Sequence, residues 1–221
     1  MPEFDLLRAL PKSSRNVKAR EKAKTKEHIE ISSEYGKMYF DGPREYGYGG
    51  YRYDGRWQPV AHDIIKHFDL KQGDKVLDVG CAKGFLVKDL LALGIDAYGI
   101  DVSEYALNNC EPEVVGRLQI GNAIELPFPD ESFDAVISIN TLHNLAKEDC
   151  IVALKEIERL SPGRGFVQVD SYYTKEQKVL FESWVLTALF HDYPDEWLKV
   201  FDEACYKGDY FWTVMNDQKD S

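Results

Sequence analysis

The stretch Asp78-Val79-Gly80-Cys81-Ala82-Lys83-Gly84 places a carboxylate just ahead of a glycine turn. Glycines at 80 and 84 permit a tight strand-to-helix turn and close approach of backbone to a ligand, and the following helix offers unpaired N–H groups. A pyrophosphate in that turn would be repelled by Asp78, whereas an ammonium or a sulfonium would be attracted. Asp101 stands 21 residues beyond Gly80, where a carboxylate can accept hydrogen bonds from both hydroxyls of a ribose. The two acids together imply a nucleoside with a cationic tail.

Further candidates follow other short apolar runs. Asn122 and Ala123 offer an amide and a small apolar face, suited to the edge and face of adenine. Asn140-Thr141-Leu142-His143 would face the reactive end of the ligand. His143 is the candidate general base, because an ordinary imidazole titrates near neutrality. Asp170 is the candidate acceptor-site carboxylate. Plainer roles stand beside both: His143 orients substrate or packs, and Asp170 caps the next helix. The other histidines, 28, 62, 67 and 191, lack HExxH spacing, so no metal site is expected. Residues 41–57, DGPREYGYGGYRYDGRW, mix five glycines with four tyrosines and three arginines. That composition forms neither a regular helix nor a secure strand. It reads as a lid carrying Tyr51 and Arg52 to the site, or as a surface loop that packs its rings on the domain edge.

The elements that must position these residues follow from periodicity. Helical spacing over 60–68 gives way to a β-branched strand at 75–79, then a helix over 85–93. Strands at 97–100, 117–120, 135–139 and 165–169 alternate with a helix opened by Ser103 and another over 147–160. Helices over 175–192 and 194–206 and a strand at 210–215 complete the chain. Such alternation specifies an α/β fold, a Rossmann-like, doubly wound, mainly parallel sheet with its ligand at the carboxyl ends of the strands. Three parts are expected: a partly flexible basic arm at 1–40, the lid at 41–57 and a ligand-binding domain over 58–221.

These residues resemble the class I S-adenosylmethionine-dependent methyltransferases, especially the small-molecule subgroup that includes quinone-biosynthesis enzymes. The likeness covers residues 58–170. It implies that Asp78, Gly80, Cys81, Ala82 and Gly84 hold the methionyl part of S-adenosylmethionine, or of its product S-adenosylhomocysteine. It also implies Asp101 on the ribose, Val102, Asn122 and Ala123 around adenine, and Asn140 near the reactive end. Three departures stand out. Asn122 replaces a frequent Asp, and its amide oxygen can still accept from the adenine amino group. Ala82 replaces a glycine, which weakens the motif if a positive φ is needed there. The family's seven-stranded sheet ends in a hairpin, whereas one convincing strand follows residue 169, so the hairpin is expected to be incomplete or replaced. Cys81 reads as a small packing residue whose N–H meets the ligand, rather than as a nucleophile. A Rossmann-like fold binding NAD or nothing is the competing reading of the turn; the acid ahead of the glycines and the agreement of the other strand ends favour the methyltransferase.

The chain has 221 residues, a formal charge of −11 and a pI near 5.0, which argues against a dedicated nucleic-acid binder. Residues 1–27 carry a net +4, leaving −15 for the remainder. Without an aromatic or amphipathic face, this basic stretch reads as a solvated or loosely helical arm. Four dispersed cysteines without a CxxC pair fit reduced thiols in the cytoplasm. The longest apolar run, 185–190, is far too short to span a bilayer. The leading expectation is methyl transfer to a small-molecule acceptor, at an oxygen of a sugar, a quinol or a natural-product intermediate. Two others stand beside it: a protein or RNA methyltransferase, supported by the basic arm and the Tyr/Arg-rich loop, and a non-catalytic cofactor-binding module serving as a homo-oligomer partner.

Overall fold

The computed structural model describes residues 1–11 and 17–216. Residues 12–16 of the expected arm and 217–221 of the expected domain lie outside the described residues. Three short helices, α1 (Val17–Ala23), α2 (Lys26–Ser33) and α3 (Lys37–Asp41), precede the main body. That body alternates as α4 (Gln58–His67), β1 (Lys75–Val79), α5 (Phe85–Ala92), β2 (Asp96–Asp101), α6 (Glu104–Asn108), β3 (Leu118–Ile120) and β4 (Ala135–Ile139). It continues through α7 (Lys147–Leu160), β5 (Gly165–Ser171), α8 (Lys175–Trp184), α9 (Pro194–Glu203) and β6 (Asp209–Val214).

The strands form one sheet in the order β3-β2-β1-β4-β5-β6, with every neighbouring pair parallel. Near-continuous apolar runs explain the centre: β1 and β4 are buried along almost their whole length, as strands covered on both faces must be. On one face Val60 and Ile64 of α4 meet Leu86 and Leu90 of α5. On the other, Leu154 and Ile157 of α7 pack with Trp197 and Phe201 of α9. Strand order reverses between β1 and β4, which opens a crevice at the carboxyl ends of the two strands.

Local signals hold at the helix starts that matter. Ser103 Oγ accepts the Ala106 N–H at 3.0 Å to open α6, and Thr174 with Gln177 forms a reciprocal cap at α8.

The chain departs from its own periodicity after Trp184 and at the end of β5. The helix expected over 175–192 stops at Trp184, because Val185 turns extended and the Leu189 and Phe190 N–H groups donate to the His143 carbonyl at 2.9 and 3.1 Å. Strand β5 runs on to Ser171, since Asp170 and Ser171 pair with Thr213 and Val214 of β6. The family's terminal hairpin is not formed among the described residues. After α8 and α9 the chain re-enters the sheet as β6, parallel to β5, as a helical crossover requires.

The opening of the basic arm is solvated only in part. Leu6 and Leu7 are buried against the α4 cluster, and residues 2–4 extend the sheet beside β6 through Phe4 N–H to Tyr210 O at 2.9 Å and Tyr210 N–H to Pro2 O at 3.3 Å. Lys24, just beyond α1, donates from Nζ to the Glu182 carbonyl of α8 at 2.7 Å.

Candidate active site

The turn after β1 is fixed by its backbone geometry. Gly80 has φ 84° and Gly84 φ 75°, left-handed values that favour glycine. A Cβ on Gly80 would lie 2.0 Å from Thr141 Oγ1. The Gly80 and Cys81 N–H groups both donate to the Ile100 carbonyl, at 2.8 and 3.2 Å. The Cys81 N–H, expected to meet a ligand, therefore serves the turn itself. Burial pushes the Cys81 thiol up, which keeps it protonated. Ala82 does adopt a positive φ, 51°, at a cost of about 1 kcal/mol or more relative to glycine. Its N–H donates to Asp101 Oδ2 at 2.7 Å, so the strained residue is tied to the end of β2.

Two acids define the electrostatics. Asp78 is 6% exposed, and burial, reinforced by Asp101, pushes its carboxyl up to about 7. Burial also raises Asp101, against the backbone N–H groups of Ser103, Ala82 and Val102 that stabilise its anion. A cationic ligand beside Asp78 would restore its charged form.

A cavity of about 460 Å³ opens at the strand ends. Its walls bring together Tyr51, Arg52, Asp78, Gly80, Cys81, Ala82, Asn140, His143 and Asp170. Asp101 lies directly behind Ala82. Gly84, Val102, Asn122 and Ala123 are not part of this lining. Gly84 caps α5, and Val102 is half-exposed. Ala123 packs into the core with Ile100 and Leu126, and Asn122 Oδ1 accepts the Ile124 N–H at 3.2 Å.

His143 and Asp170 form a pair. The Asp170 N–H donates to Nδ1 at 3.1 Å, which puts the proton of a neutral ring on Nε2, 3.2 Å from Asp170 Oδ2. Burial lowers the imidazole pKa, with Asp170 opposing. Both ring nitrogens thus face Asp170, and the carboxylate joins the ring to the cavity.

Contacts that periodicity does not reveal fasten the glycine-rich segment over the turn. Lys83 Nζ pairs with Asp41 Oδ2 at 2.6 Å and donates to the Tyr51 carbonyl at 3.0 Å. Asp41 also accepts the Tyr51 N–H at 3.1 Å and the Tyr105 hydroxyl at 2.8 Å. The Tyr51 ring stacks on Phe85, centroids 4.6 Å apart. The one sequence cue was a lysine inside the turn, facing an aspartate that opens the loop.

Residues 77–168 match the family model described as a methyltransferase domain. This chain carries a class I S-adenosylmethionine-dependent methyltransferase domain. The demethylmenaquinone methyltransferase of Symbiobacterium thermophilum is 32% identical over 128 residues, 53% of this chain and 50% of that protein. A Mus musculus protein named "Probable tRNA methyltransferase 9B" is 39% identical over 113 residues, 48% of this chain and 24% of its own length. The chain thus spans half or less of the curated relatives it matches here. Among solved structures, a SAM-dependent methyltransferase from Methanosarcina mazei shares the fold, with a TM-score of 0.51 and 21% identity over 63% of this chain and 82% of that one. The methyltransferase core accounts for β1 to β5. The Lys83–Asp41 clamp involves a residue that precedes the matched region.

Proposed function

We propose that this protein transfers a methyl group from S-adenosylmethionine to an oxygen of a small molecule such as a sugar, a quinol or a natural-product intermediate. The observation that carries this reading is one cavity joining the Asp78–Gly80 turn to the His143–Asp170 pair. The residues fit the cofactor. Asp78 and Gly80 line the cavity, and Asp78 and Asp101 supply acids for a cationic tail and a ribose. Bound there, the cofactor supplies a methyl group activated for in-line displacement. Asp101 would accept from the ribose hydroxyls, and Asp78, ionised by the cation, would orient the methionyl end. The His143–Asp170 pair would receive the acceptor's hydroxyl proton. The lid excludes water.

Incubation with labelled cofactor and a panel of hydroxylated metabolites tests this. Demethylated product should form above the acceptor-free rate only with a hydroxyl acceptor. No turnover despite cofactor binding would favour the non-catalytic module. An RNA acceptor is disfavoured by the −15 carried outside residues 1–27; tight RNA binding that weakens steeply with salt would revive it. Four free cysteines support a cytoplasmic setting, and no helix among the described residues is long and apolar enough to cross a membrane.

A further inference from the structure

A chain of side-chain hydrogen bonds ties β4, β5 and β6 together at their carboxyl ends. Gln168 Nε2 donates to Thr213 Oγ1 at 2.8 Å, and Thr213 Oγ1 donates to Asn140 Oδ1 at 2.6 Å. Gln168 stands in β5 and Thr213 in β6, while Asn140 follows the last residue of β4 with a left-handed φ of 54°. Asn140 and Thr213 line the same cavity as His143 and Asp170. Thr213 lies beyond the region matched by the family model, so this chain supplies it from outside the shared core.

Proton count fixes the direction of the chain. A hydroxyl carries one proton, and with Gln168 donating to Thr213 Oγ1 that proton is given to Asn140. The Asn140 carbonyl is thereby turned towards β6, and its Nδ2 group keeps no hydrogen-bond partner among the described residues. At the other end, Gln168 is 7% exposed and its Oε1 is buried without a partner among the described residues. An orphaned buried carbonyl is destabilising, so stability does not account for a glutamine at this place. The orientation it imposes on Thr213, and through Thr213 on Asn140, does.

Thr213 is the register neighbour of Asp170, and adjacent strands stand about 4.8 Å apart. The Asn140 donor therefore lies within about two strand spacings of the Asp170 carboxylate. Two oxygens on neighbouring carbons, each hydrogen-bonded at about 2.9 Å, span a donor and an acceptor at such a separation. One would give its proton to the His143–Asp170 pair, and the other would accept from Asn140.

We propose that Asn140 is a specificity-determining donor, aimed by Thr213 and Gln168 as positioning residues, and that the methyl acceptor bears a second oxygen, hydroxyl or carbonyl, on the carbon next to its reacting hydroxyl. This rests on the methyltransferase reading for the reacting hydroxyl, and on the Gln168–Thr213–Asn140 chain for the second oxygen. An acceptor with one oxygen leaves the Asn140 N–H groups unpaired, which is how a site built to donate rejects it.

Calorimetric titration of the protein loaded with S-adenosylhomocysteine tests the donor, with catechol against phenol and trans-cyclohexane-1,2-diol against cyclohexanol as probes. In at least one pair the two-oxygen probe should bind about tenfold or more tighter than its single-oxygen partner. Thr213→Val removes the hydroxyl and keeps the branched shape; it should bring that ratio to within about twofold of unity, and Thr213→Ser should restore it. Equal affinities within both pairs, no binding of either two-oxygen probe at about 10 mM, an unchanged ratio in Thr213→Val, or parallel loss of both members of a pair without rescue by serine would overturn the proposal. Should Thr213→Val fail to fold, Asn140→Asp exchanges the donor for an acceptor at the same size; an unchanged ratio in that variant also overturns it. Failure of wild-type protein to bind S-adenosylhomocysteine would instead remove the methyltransferase reading, and the same titration on ligand-free protein would still decide the donor.

Discussion

Lys83, inside the turn after β1, and Asp41, at the end of α3, meet at 2.6 Å with side chains only 8% and 24% exposed. The pair makes one mechanical unit of the turn and the segment above it, because Asp41 also holds the Tyr51 backbone and Lys83 holds the Tyr51 carbonyl. On the proposed reading of residues 41–57 as a lid, its order and ligand affinity would be coupled through this one ammonium.

Replacing Lys83 with Met should loosen the lid more than the sheet. Loss of one partner leaves a partly buried carboxylate, a destabilisation of about 1–3 kcal/mol. Amide exchange across 41–57 should quicken in the variant, and S-adenosylhomocysteine should slow it less than in wild type. Uniform exchange throughout both proteins would separate the lid from the site.

Asp101→Ala should weaken cofactor binding by about tenfold or more, since two ribose hydroxyls lose their acceptor, at roughly 1–3 kcal/mol. The same change frees the Ala82 N–H, which Asp101 holds at 2.7 Å. Calorimetry on the folded variant decides; unaltered affinity would move the ribose elsewhere.

Gly80→Val should be worse. Its Cβ would fall 2.0 Å from Thr141 Oγ1 at φ 84°, and overpacking with left-handed strain costs roughly 2–4 kcal/mol. Chemical denaturation should show the loss, and cofactor affinity should fall beyond detection. A variant of wild-type stability that bound normally would disprove the need for glycine at this turn.

Asp78 gives a pH signature of defined sign. Its folded pKa, about 7, lies above the ordinary carboxylate value of about 3.9, so between those values the folded chain holds a proton that the unfolded chain lacks. Stability from this group is greatest at the acid end of that window and declines as pH rises towards 7. Cofactor affinity should run the other way, weakening below pH 7 as the cation must displace that proton. Asp78→Asn should flatten both trends in thermal unfolding and calorimetry.

His143→Ala should lower turnover by roughly 10²–10⁴ with cofactor affinity nearly unchanged. Burial lowers the His143 pKa from its ordinary 6.5, so wild-type activity should rise with pH through a midpoint below 6.5 and stay level above it. A pH-independent rate would take the pair out of proton transfer.

Much of this architecture is legible in local pattern. The limits of β1, β4 and α7 follow directly from apolar spacing and the Ser161-Pro162-Gly163 stop, because each is decided by its own burial. What is not legible depends on distant partners. The end of β5 is set by Thr213 and Val214 of β6, and the irregular stretch after Trp184 by the carbonyl of His143. In the site, Asp78, Gly80 and Asp101 announce themselves by spacing. Arg20 and Trp184 do not, since nothing in a basic arm or an amphipathic helix shows that α1 and α8 will line the same cavity.

The pairing of residues 2–4 with β6 makes the first part of the chain wait for the last. Phe4 reaches the ribosome's exit long before Tyr210 exists, and Leu6 and Leu7 stay uncovered meanwhile. Joining segments some 200 residues apart costs about 5 kcal/mol of chain entropy, so this edge should close late and open first. Once closed, it covers the Tyr210 end of β6, shortening the rim on which a second molecule could polymerise.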